Sequence, residues 1–568
     1  MNSNIQNSFI KCMNAIQHNQ SDELRAIPFD VPANFNWVRD VFEPLVVHTN
    51  AASNMLELLT DDSPELITIS YRQGMERCNQ LVNWLRQKGL KQGDRIFIMC
   101  GLHEGLWITY LAAIKGGFVL IPAASILNAD DIVYRFKKAA PQAIVTDSEN
   151  RIKMEQALMQ YNKRVSVQLL LDDEQEGWIS FRAMESASKE AVAADTLNDE
   201  DLFWFFTSGT TGLPKVVVHT HASYPLGHVT TAAWIGLKRG DKHYNISQPG
   251  WAKFAWSSVF AALNAGATIF IYRAKARFDA ARQLQVIQDY KVTTLCAPPT
   301  ALRLLIQENL AAYHFSLREC VSAGEPLNAE IIKIWKEGTG ILLRDGYGQT
   351  ESTCMICNLP GSKIKFGSMG KPAFMYDIII AGSEGEELPV HETGQVAVRM
   401  QTARFNGIFK MYIGDAEREK DVFKHGLCYT GDKAYKDEDG YCWFVGRDDD
   451  VIKSSDYRIG PFEIESILLE MDEILESAVV GSPHPIKGQE IKAFIVLVNN
   501  SAVTRELADK IFAYCKNRLA PYKIPRIIEF VPDLPKTISG KIRRIELRAA
   551  EEQHKAEKEK RTAEFFLK

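Results

Sequence analysis

Helix-like and strand-like segments alternate along about the first 150 residues of the chain. In order, they are a helix over Arg72–Gly89, a strand over Arg95–Cys100, a helix over Glu104–Lys115, a strand over Phe118–Pro122, a helix over Asp131–Lys138 and a strand over Ala143–Thr146. This alternation predicts βαβ units, whose strands lie in a largely parallel sheet. The chain is therefore predicted to have an α/β fold.

The alternation returns later and then gives way to a different pattern. A strand over Thr293–Ala297 is broken by Pro298-Pro299 before a helix over Ala301–Asn309. From Gly361 onward, short strand-like runs separated by Gly and Asp turns predict a β-rich region. Those runs are Ile378–Ile380, Gln395–Arg399 and Tyr441–Val445.

A polar stretch, Gly446–Asp450, separates this region from a smaller alternating segment that contains Ala478–Val480 and Ala493–Val498. We therefore predict two domains, residues 1–448 and 449–568. The last stretch, Glu546–Lys560, alternates Glu and Lys at helical spacing and is predicted to be a solvated helix.

Composition narrows the class of protein. The net charge of −5 argues against general binding of nucleic acid. The sequence contains no run of 18 apolar residues, so no membrane span is predicted. Residues 1–19 have no apolar core of a signal peptide, so the predicted location is cytoplasmic. Ten irregularly spaced cysteines indicate reduced thiols, and the C-x-x-C pair Cys354 and Cys357 is predicted to lie in the core rather than to bind zinc.

A nonapeptide that follows the apolar run Leu202–Phe206 has the composition of a phosphate-binding loop. Its residues are Thr207, Ser208, Gly209, Thr210, Thr211, Gly212, Leu213, Pro214 and Lys215. Glycines let backbone N–H groups approach phosphate oxygens, hydroxyls add donors and the lysine adds positive charge. The segment does not fit the Walker pattern. A polar turn between two strands is the alternative.

Four further motifs follow in order: Ser322–Pro326, Tyr347–Glu351, Tyr429–Asp432 and Pro535–Lys541. With the nonapeptide, they resemble those of the acyl-adenylate-forming superfamily, over about Phe35–Arg548. The resemblance is greatest to medium-chain acyl-CoA synthetases, on the segments Phe35–Asp40, Tyr457–Pro461 and Leu534–Arg543. It implies a large N-terminal domain of mixed parallel sheets plus a distorted β-barrel, with a smaller mobile α+β C-terminal domain.

The resemblance also implies the substrates and a role for each motif. The enzyme would use ATP, Mg²⁺ and coenzyme A to activate a small-molecule carboxylic acid. The loop ending at Lys215 would hold the β- and γ-phosphates, and Gly324, Glu325 and Pro326 would form the wall beside adenine. A type I turn is the alternative for this last segment.

The second motif would hold the rest of the nucleotide. Tyr347 would stack on adenine, Thr350 would donate to the α-phosphate and Glu351 would ligate Mg²⁺. The segment is equally compatible with a helix N-cap at Thr350. The remaining nucleotide-binding residues predicted around this motif are Asp345, which would accept from the adenine amino group, Gly346, Gly348 and Gln349.

The later motifs supply the ribose contacts and the mobile lysine. Asp432 would accept hydrogen bonds from the ribose hydroxyls, and Arg447 would add a donor. Asp449 matches the hinge of the family, and Lys541 would neutralise charge on the acid and the α-phosphate. Arg458 belongs to the coenzyme A ligase pattern.

One position departs from that pattern. Asp456 stands where glycine is usual, so its side chain would narrow the passage for the pantetheine thiol. The alternative is that Asp456 points to solvent.

The acid pocket is predicted from two features. Gly348 stands where acetate-specific members have a tryptophan, so a longer or branched acyl group should fit. Trp251, Phe254 and Trp256 either line this pocket or belong to the core. No Asp or Glu lies between Gly250 and Ala267 to pair with an amino acid's ammonium group.

These observations predict an ATP-dependent acyl-CoA synthetase for medium-chain or branched acids. An adenylate-forming ligase that stops at acyl-AMP or uses another acceptor, and a non-catalytic nucleotide sensor, are the alternatives. Retention of Lys215 and Lys541 argues against the sensor.

Overall fold

The computed structural model describes residues 3–207, 214–275, 277–400, 405–455, 457–498, 502–537, 541–557 and 561–567. Within these ranges the first strands are β1 Asn54–Thr60, β2 Ser63–Ser70, β3 Arg95–Met99, β4 Val119–Pro122, β5 Ala143–Thr146, β6 Val167–Leu170, β7 Ile179–Ser180, β8 Asp201–Thr207, β9 Lys215–Thr220, β10 Lys242–Asn245, β11 Thr268–Arg273, β12 Thr294–Cys296, β13 Glu319–Ala323 and β14 Leu343–Tyr347. The later strands are β15 Ile356–Cys357, β16 Lys371–Pro372, β17 Ile378–Ala381, β18 Gly394–Arg399, β19 Met411–Tyr412, β20 Phe423–Lys424, β21 Leu427–Lys436, β22 Cys442–Arg447, β23 Ile452–Ser454, β24 Tyr457–Ile459, β25 Ile474–His484, β26 Gly488–Leu497, β27 Ile527–Phe530 and β28 Glu564–Phe566.

Helices connect and cover these strands. In chain order they are α1 Ser3–Gln17, α2 Ser21–Leu24, α3 His48–Asn50, α4 Tyr71–Gln87, α5 Glu104–Gly116, α6 Ala129–Ala139, α7 Ser148–Tyr161, α8 Ser223–Gly227, α9 Val229–Ile235, α10 Ala252–Ala255, α11 Ala262–Ala265, α12 Ala280–Asp289, α13 Pro299–Leu305, α14 Ala329–Thr339, α15 Ala416–Val422, α16 Pro461–Leu468, α17 Arg505–Arg518 and α18 Arg544–Glu557. Wider π-helical turns cover Val38–Val47 and Trp256–Ala261, and short 3₁₀ turns cover Phe181–Ser186, Leu310–Ala312 and Pro521–Lys523.

Two large mixed sheets form the body of the N-terminal domain. Sheet A has the order β16-β15-β14-β13-β12-β10-β11-β1-β2, and its central strands, β14 to β1, are parallel. Sheet B has the order β19-β9-β8-β4-β3-β5-β6-β7, and it is parallel from β8 to β7. The parallel strands of both sheets confirm the predicted α/β fold. Neighbouring parallel strands require a crossover, usually a helix, that returns the chain to the same edge of the sheet.

Two smaller sheets follow. Sheet C is antiparallel: β17, β18 and β21 pair in turn, and β20 and β22 both pair with β21. These strands form the β-rich region that the sequence predicts after Gly361. Sheet D, of order β24-β23-β26-β27-β28 with β25 on β26, forms the smaller C-terminal domain together with α16, α17 and α18.

Most of the predicted elements agree with the observed ones to within two residues. Two runs, Ala478–Val480 and Ala493–Val498, are parts of the longer strands β25 and β26, and two helices also differ. The helix predicted over Ala301–Asn309 is α13, which begins at Pro299 because proline at the first helical position leaves no donor unpaired. The helix predicted over Glu546–Lys560 is α18, and it is solvated over most of its surface, as predicted, but Leu547, Glu551 and His554 are buried.

The predicted state of the cysteines is confirmed: all ten are free and buried. Within the described ranges, no helix combines the length and the apolar composition that crossing a bilayer would require.

Candidate active site

The carboxyl ends of two neighbouring parallel strands, β13 and β14, bring two of the predicted motifs together. Ser322 lies beside Asp345, and Ala323 lies beside Gly346. The Asp345 carboxylate accepts from the N–H of Gly346 at 2.9 Å, and burial raises its pKa well above the usual value. The edge of a parallel sheet is where α/β proteins bind ligands, so the turn Gly324–Pro326 and Asp345 are placed to face one ligand.

The predicted phosphate loop connects β8 and β9, whose antiparallel pairing sets Thr207 directly opposite Lys215. Ser208, Gly209, Thr210, Thr211 and Gly212 lie outside the described residues. Because the segment joins two paired strands, it can be a turn between strands and a phosphate-binding loop at the same time, so the two interpretations are compatible.

Lys215 joins sheet B to the second motif on sheet A. Its ammonium donates to Oε1 of Glu351 at 2.5 Å and to the hydroxyl of Tyr412 at 3.3 Å. The Tyr412 hydroxyl also donates to Glu351 Oε1, at 2.8 Å. Burial alone would raise the pKa of Glu351, but the charge of Lys215 and the hydrogen bonds from Lys215 and Tyr412 together outweigh it, and the pKa lies below the usual value.

Glu351 is therefore an anionic oxygen donor that already faces a cation. Such a carboxylate fits Mg²⁺, which prefers oxygen ligands. Tyr412 was missed by the sequence analysis, because its role depends on the pairing of β19 with β9, which puts it opposite Val217.

A second missed residue, His219, supports the same turn. Its Nε2 lies 2.8 Å from the carbonyl oxygen of Thr350, and its Nδ1 lies 3.1 Å from Oγ of Ser223. The carbonyl can only accept, so Nε2 carries the proton. Burial lowers the pKa of His219 to about 4, which keeps the ring neutral. The turn that carries Thr350 and Glu351 is thus held by β9 at two points.

The neutral state of His219 has a consequence for stability. Because its folded-state pKa is about 4, below the usual 6.5, its contribution is present above pH 6.5 and is lost as the pH falls towards 4. We expect this group to remove about 2 kcal/mol of unfolding free energy between pH 7 and pH 5. Urea unfolding of His219→Gln should show a shallower acid dependence than the native protein, whereas His18→Gln, in the turn just after α1, should show the native dependence.

Asp432 meets the second motif from sheet C. Its Oδ2 accepts from the hydroxyl of Tyr347 at 2.6 Å and from Nε2 of Gln349 at 2.5 Å. Burial raises the pKa of Asp432, although these hydrogen bonds and the charge of Arg447 oppose the rise. Arg447 lies opposite Asp432 across β21 and β22, and its Nε is 3.2 Å from Asp449. The predicted ribose residues are therefore adjacent to the predicted adenine residue.

The C-terminal domain presents one predicted residue to this site. Lys541 is exposed, and its charge is among those that lower the pKa of Asp432 and of Lys253, so it lies close enough to the site to act on both groups. Arg458 is exposed on β24, and within the described part of the chain it makes no contact with Glu351 or Asp432. Asp456 lies outside the described residues.

Lys253 is a third residue that the sequence analysis missed. It is half-buried on α10, and its ammonium donates to the carbonyl of Ala323 at 2.8 Å, at the start of the turn that contains Gly324. Burial lowers its pKa. The signal was present in the sequence: Lys253 is a single charge between Trp251 and Trp256 in an otherwise apolar run.

The prediction about Gly348 requires a correction. A Cβ at this position would lie 2.2 Å from the carbonyl oxygen of Thr353 and 2.3 Å from Cη2 of Trp256. No free space therefore exists at Gly348 itself, because the ring of Trp256 occupies the position of a side chain there. Phe254 is fully buried against Trp107 and belongs to the core, whereas Trp251 is half-buried.

We expect even Gly348→Ala to lower the free energy of unfolding by about 1–3 kcal/mol, the usual range for overpacking a core. The Thr353 carbonyl belongs to the backbone and cannot move aside as a flexible side chain would. Gly101→Ala is the matched control, since its Cβ would lie 3.5 Å from Asp147, an ordinary contact. Equal unfolding free energies for the two variants would contradict the close packing at Gly348.

Comparison with known proteins covers nearly the whole chain. The sequence profile of the AMP-binding enzyme family matches residues 52–413, and that of the AMP-binding enzyme C-terminal domain matches residues 463–541. The chain is 46% identical to 4-hydroxybutyrate–CoA ligase 1 of Metallosphaera sedula over 91% of each chain. It is 38% identical to acyl-coenzyme A synthetase ACSM3, mitochondrial, of Mus musculus, over 92% of this chain and 91% of that protein.

Solved structures give the same assignment. The anthranilate CoA ligase AuaEII in complex with anthranoyl-AMP superposes with a TM-score of 0.83, at 28% identity, over 93% of this chain and 99% of that one. A benzoate CoA ligase from Burkholderia xenovorans LB400 superposes with a TM-score of 0.79, at 27% identity, over 90% and 100% of the two chains.

Proposed function

This chain belongs to the AMP-binding enzyme family, and we propose a role for each of the site residues in its reaction. The enzyme is an ATP-dependent acyl-CoA synthetase, which converts a carboxylic acid, ATP and coenzyme A to acyl-CoA, AMP and pyrophosphate through an acyl-AMP. The observation that best supports the proposed roles is the convergence of Lys215, Glu351 and Asp432 at the edge of sheet A.

In the first half-reaction, an oxygen of the acid carboxylate attacks the α-phosphorus of ATP and pyrophosphate leaves. Asp345 accepts from the adenine amino group, and Asp432 accepts from the ribose hydroxyls. Lys215 exchanges its contact with Glu351 for the phosphate oxygens, and Glu351 would hold Mg²⁺, which supplies neutralisation of phosphate charge. Lys253 and Lys541 bring two further positive charges towards the acid and the α-phosphate.

In the second half-reaction, the thiol of coenzyme A loses its proton and its sulfur attacks the acyl carbon, and AMP leaves. Pyrophosphate has left before this step, so the step does not require the charge of Lys215 on the pyrophosphate oxygens. We propose that the domain boundary lies at 448/449 and that Asp449 is the hinge that separates the two steps. Arg458 is proposed to serve the thioester step.

The acid is proposed to be a medium-chain or branched one whose tail ends against Trp256. The Trp256 ring, which fills the space beside Gly348, is the side chain best placed to limit the length of that tail. An apolar pocket discriminates by about 1–3 kcal/mol per methylene, so one buried ring is sufficient to set a clear preference.

The test is pyrophosphate release with a panel of straight, branched and 4-hydroxylated acids of two to ten carbons, with and without coenzyme A. Trp256→Leu should raise kcat/KM for the longest acids roughly tenfold or more relative to the shortest. Trp335→Leu, which opens a buried site in a different part of the core, is the control. An unchanged acid profile in Trp256→Leu would exclude Trp256 from the pocket, and pyrophosphate release without acyl-CoA formation would favour a ligase that stops at acyl-AMP.

We also propose a cytoplasmic location. The ten reduced, buried cysteines fit a reducing compartment. Fractionation of the source cells with an antibody to the chain tests this proposal.

A further inference from the structure

The residue that follows the proposed hinge is ion-paired to the helix that follows Lys541. Asp450 ends the turn after β22, and its amide donates to the carbonyl of Arg447 at 3.0 Å. Its Oδ1 is paired with Arg548, and its Oδ2 lies 3.9 Å from Arg544. Both arginines lie on α18, which begins three residues after Lys541.

A second carboxylate completes this group. Arg544 donates from Nη2 to both oxygens of Glu465, at 2.8 and 2.7 Å, and Glu465 also accepts from the amide of Val479 at 2.7 Å. Four residues, Asp450, Glu465, Arg544 and Arg548, therefore form one cluster, which we name the hinge clamp.

The hinge clamp is shielded from water, which makes its ion pairs stronger than surface ones. The side chains of Asp450 and Glu465 are only 11% and 6% exposed. Burial alone would lower the pKa of Arg544, but the charges of Glu465 and Asp450 outweigh it and raise the pKa. The charge of Glu325, in the turn proposed to lie beside adenine, also raises the pKa of Arg544.

The segment between the clamp and Lys541 is short and internally bonded. The amide of Lys541 donates to Oγ1 of Thr537 at 3.1 Å, and the amide of Arg543 donates to the carbonyl of Pro535 at 2.8 Å. Lys541 is thus fixed to the start of α18, and α18 is fixed through Arg544 and Arg548 to the residue next to the hinge.

We propose that Asp450, Arg544 and Arg548 are positioning residues that make a rotation of the backbone at the hinge carry Lys541 with it. The inference rests on the roles proposed above for Asp449 and Lys541. Without the clamp, the turn at the hinge and the helix behind Lys541 move independently, and the ammonium loses its place at the site. A displacement of about 1 Å at a reacting centre costs up to about 10²-fold in rate.

The main test is Asp450→Asn, which removes the charge and keeps the shape. We expect acyl-AMP formation to slow by roughly 10–100-fold in kcat, with little change in KM for ATP and acid, whose contacts lie on the N-terminal domain. Acyl-CoA formation from supplied acyl-AMP should stay within about twofold of native. Exchange of the Lys541 and Arg543 amides with solvent should become faster, a change that activity measurements do not report.

Two further variants make the result specific. Arg548→Gln should reproduce the kinetic effect while leaving Asp450 beside Arg544, and the double variant should be no worse than Asp450→Asn alone, because both changes break one contact. Asp509→Asn is the matched control: it removes a carboxylate that pairs with Arg505 within α17 of the same domain, and it should leave both half-reactions unchanged.

The outcomes separate this inference from the roles on which it rests. If Lys541→Ala slows adenylation but Asp450→Asn and Arg548→Gln do not, the inference is wrong and the role of Lys541 stands. Equal losses in both half-reactions together with a lower unfolding midpoint would show a merely structural cluster and would also overturn it. If Lys541→Ala itself adenylates at the native rate, the proposed role of Lys541 fails first.

Discussion

Lys541→Ala is expected to slow acyl-AMP formation by about 10²–10³-fold, the usual loss when one preorganised electrostatic partner is removed from a transition state. Negative charge accumulates around the α-phosphorus as the carboxylate attacks, and Lys541 lies close enough to the site to act on Asp432 and Lys253. Acyl-CoA formation from supplied acyl-AMP should continue at a rate close to native, because the rotation proposed at Asp449 carries Lys541 away from the site before that step. The two half-reactions are measured separately, by pyrophosphate exchange and by thiol consumption.

Lys536→Ala is the matched control for this prediction. Lys536 lies in the same segment, but its ammonium pairs with Glu476 at 2.8 Å and with Asp533 at 3.1 Å, within its own domain. It should leave adenylation within about twofold of native. Equal slowing of both half-reactions by Lys541→Ala would mean that the lysine supports the domain rather than the transition state.

The sequence predicted those parts of the site that are made by local chemistry. Lys215, Asp345 and Glu351, which the structure places at neighbouring strand ends, could be predicted because glycines, hydroxyls and charges were grouped at the ends of strand-like runs. Lys253 could have been found in the same way. The local pattern was sufficient because each of these residues acts from the end of its own strand or helix.

Residues whose role depends on pairing between distant strands could not be found in this way. Tyr412 reaches Glu351 only because β19 pairs with β9 across about 200 residues of sequence, and His219 reaches Thr350 because sheet B lies against sheet A. Gly348 shows the opposite error. The missing side chain was interpreted as space, although Trp256, 92 residues earlier in the chain, fills that position.

The helix α18 shows what a charge pattern alone does not reveal. Alternating Glu and Lys is typical of a solvated surface, yet Glu551 is completely buried. Its partner is Lys492 of β26, which is also completely buried and lies 2.5 Å from Glu551, 2.5 Å from Glu564 and 2.7 Å from Glu529. Because the partner lies on another strand 59 residues earlier, neither residue predicts the other.

Lys492→Met is accordingly expected to lower the free energy of unfolding by about 3–5 kcal/mol, the cost of leaving buried charge without its partner. The ammonium is the group shared by Glu529, Glu551 and Glu564, and these carboxylates raise its pKa although burial alone would lower it. Without Lys492, the carboxylates repel one another in a site that water does not reach. Lys510→Met, which removes an exposed lysine paired with Glu473, should cost less than about 1 kcal/mol and serves as the control.

The pH dependence of Lys492→Met distinguishes a lost charge partner from a simple packing defect. In the native protein, Lys492 lowers the pKa of Glu564 although burial alone would raise it. In the variant, burial and repulsion between the carboxylates raise the folded-state pKa of Glu564 above its unfolded value of about 4.3. The folded state therefore binds more protons than the unfolded state, so the stability deficit of the variant should shrink as the pH falls from 7 towards 5. Denaturant unfolding at both pH values measures this directly. A stability deficit that stays constant with pH is expected for a defect in packing. That result, or a deficit that grows in acid, would show that Lys492 is not the charge on which the buried glutamates depend.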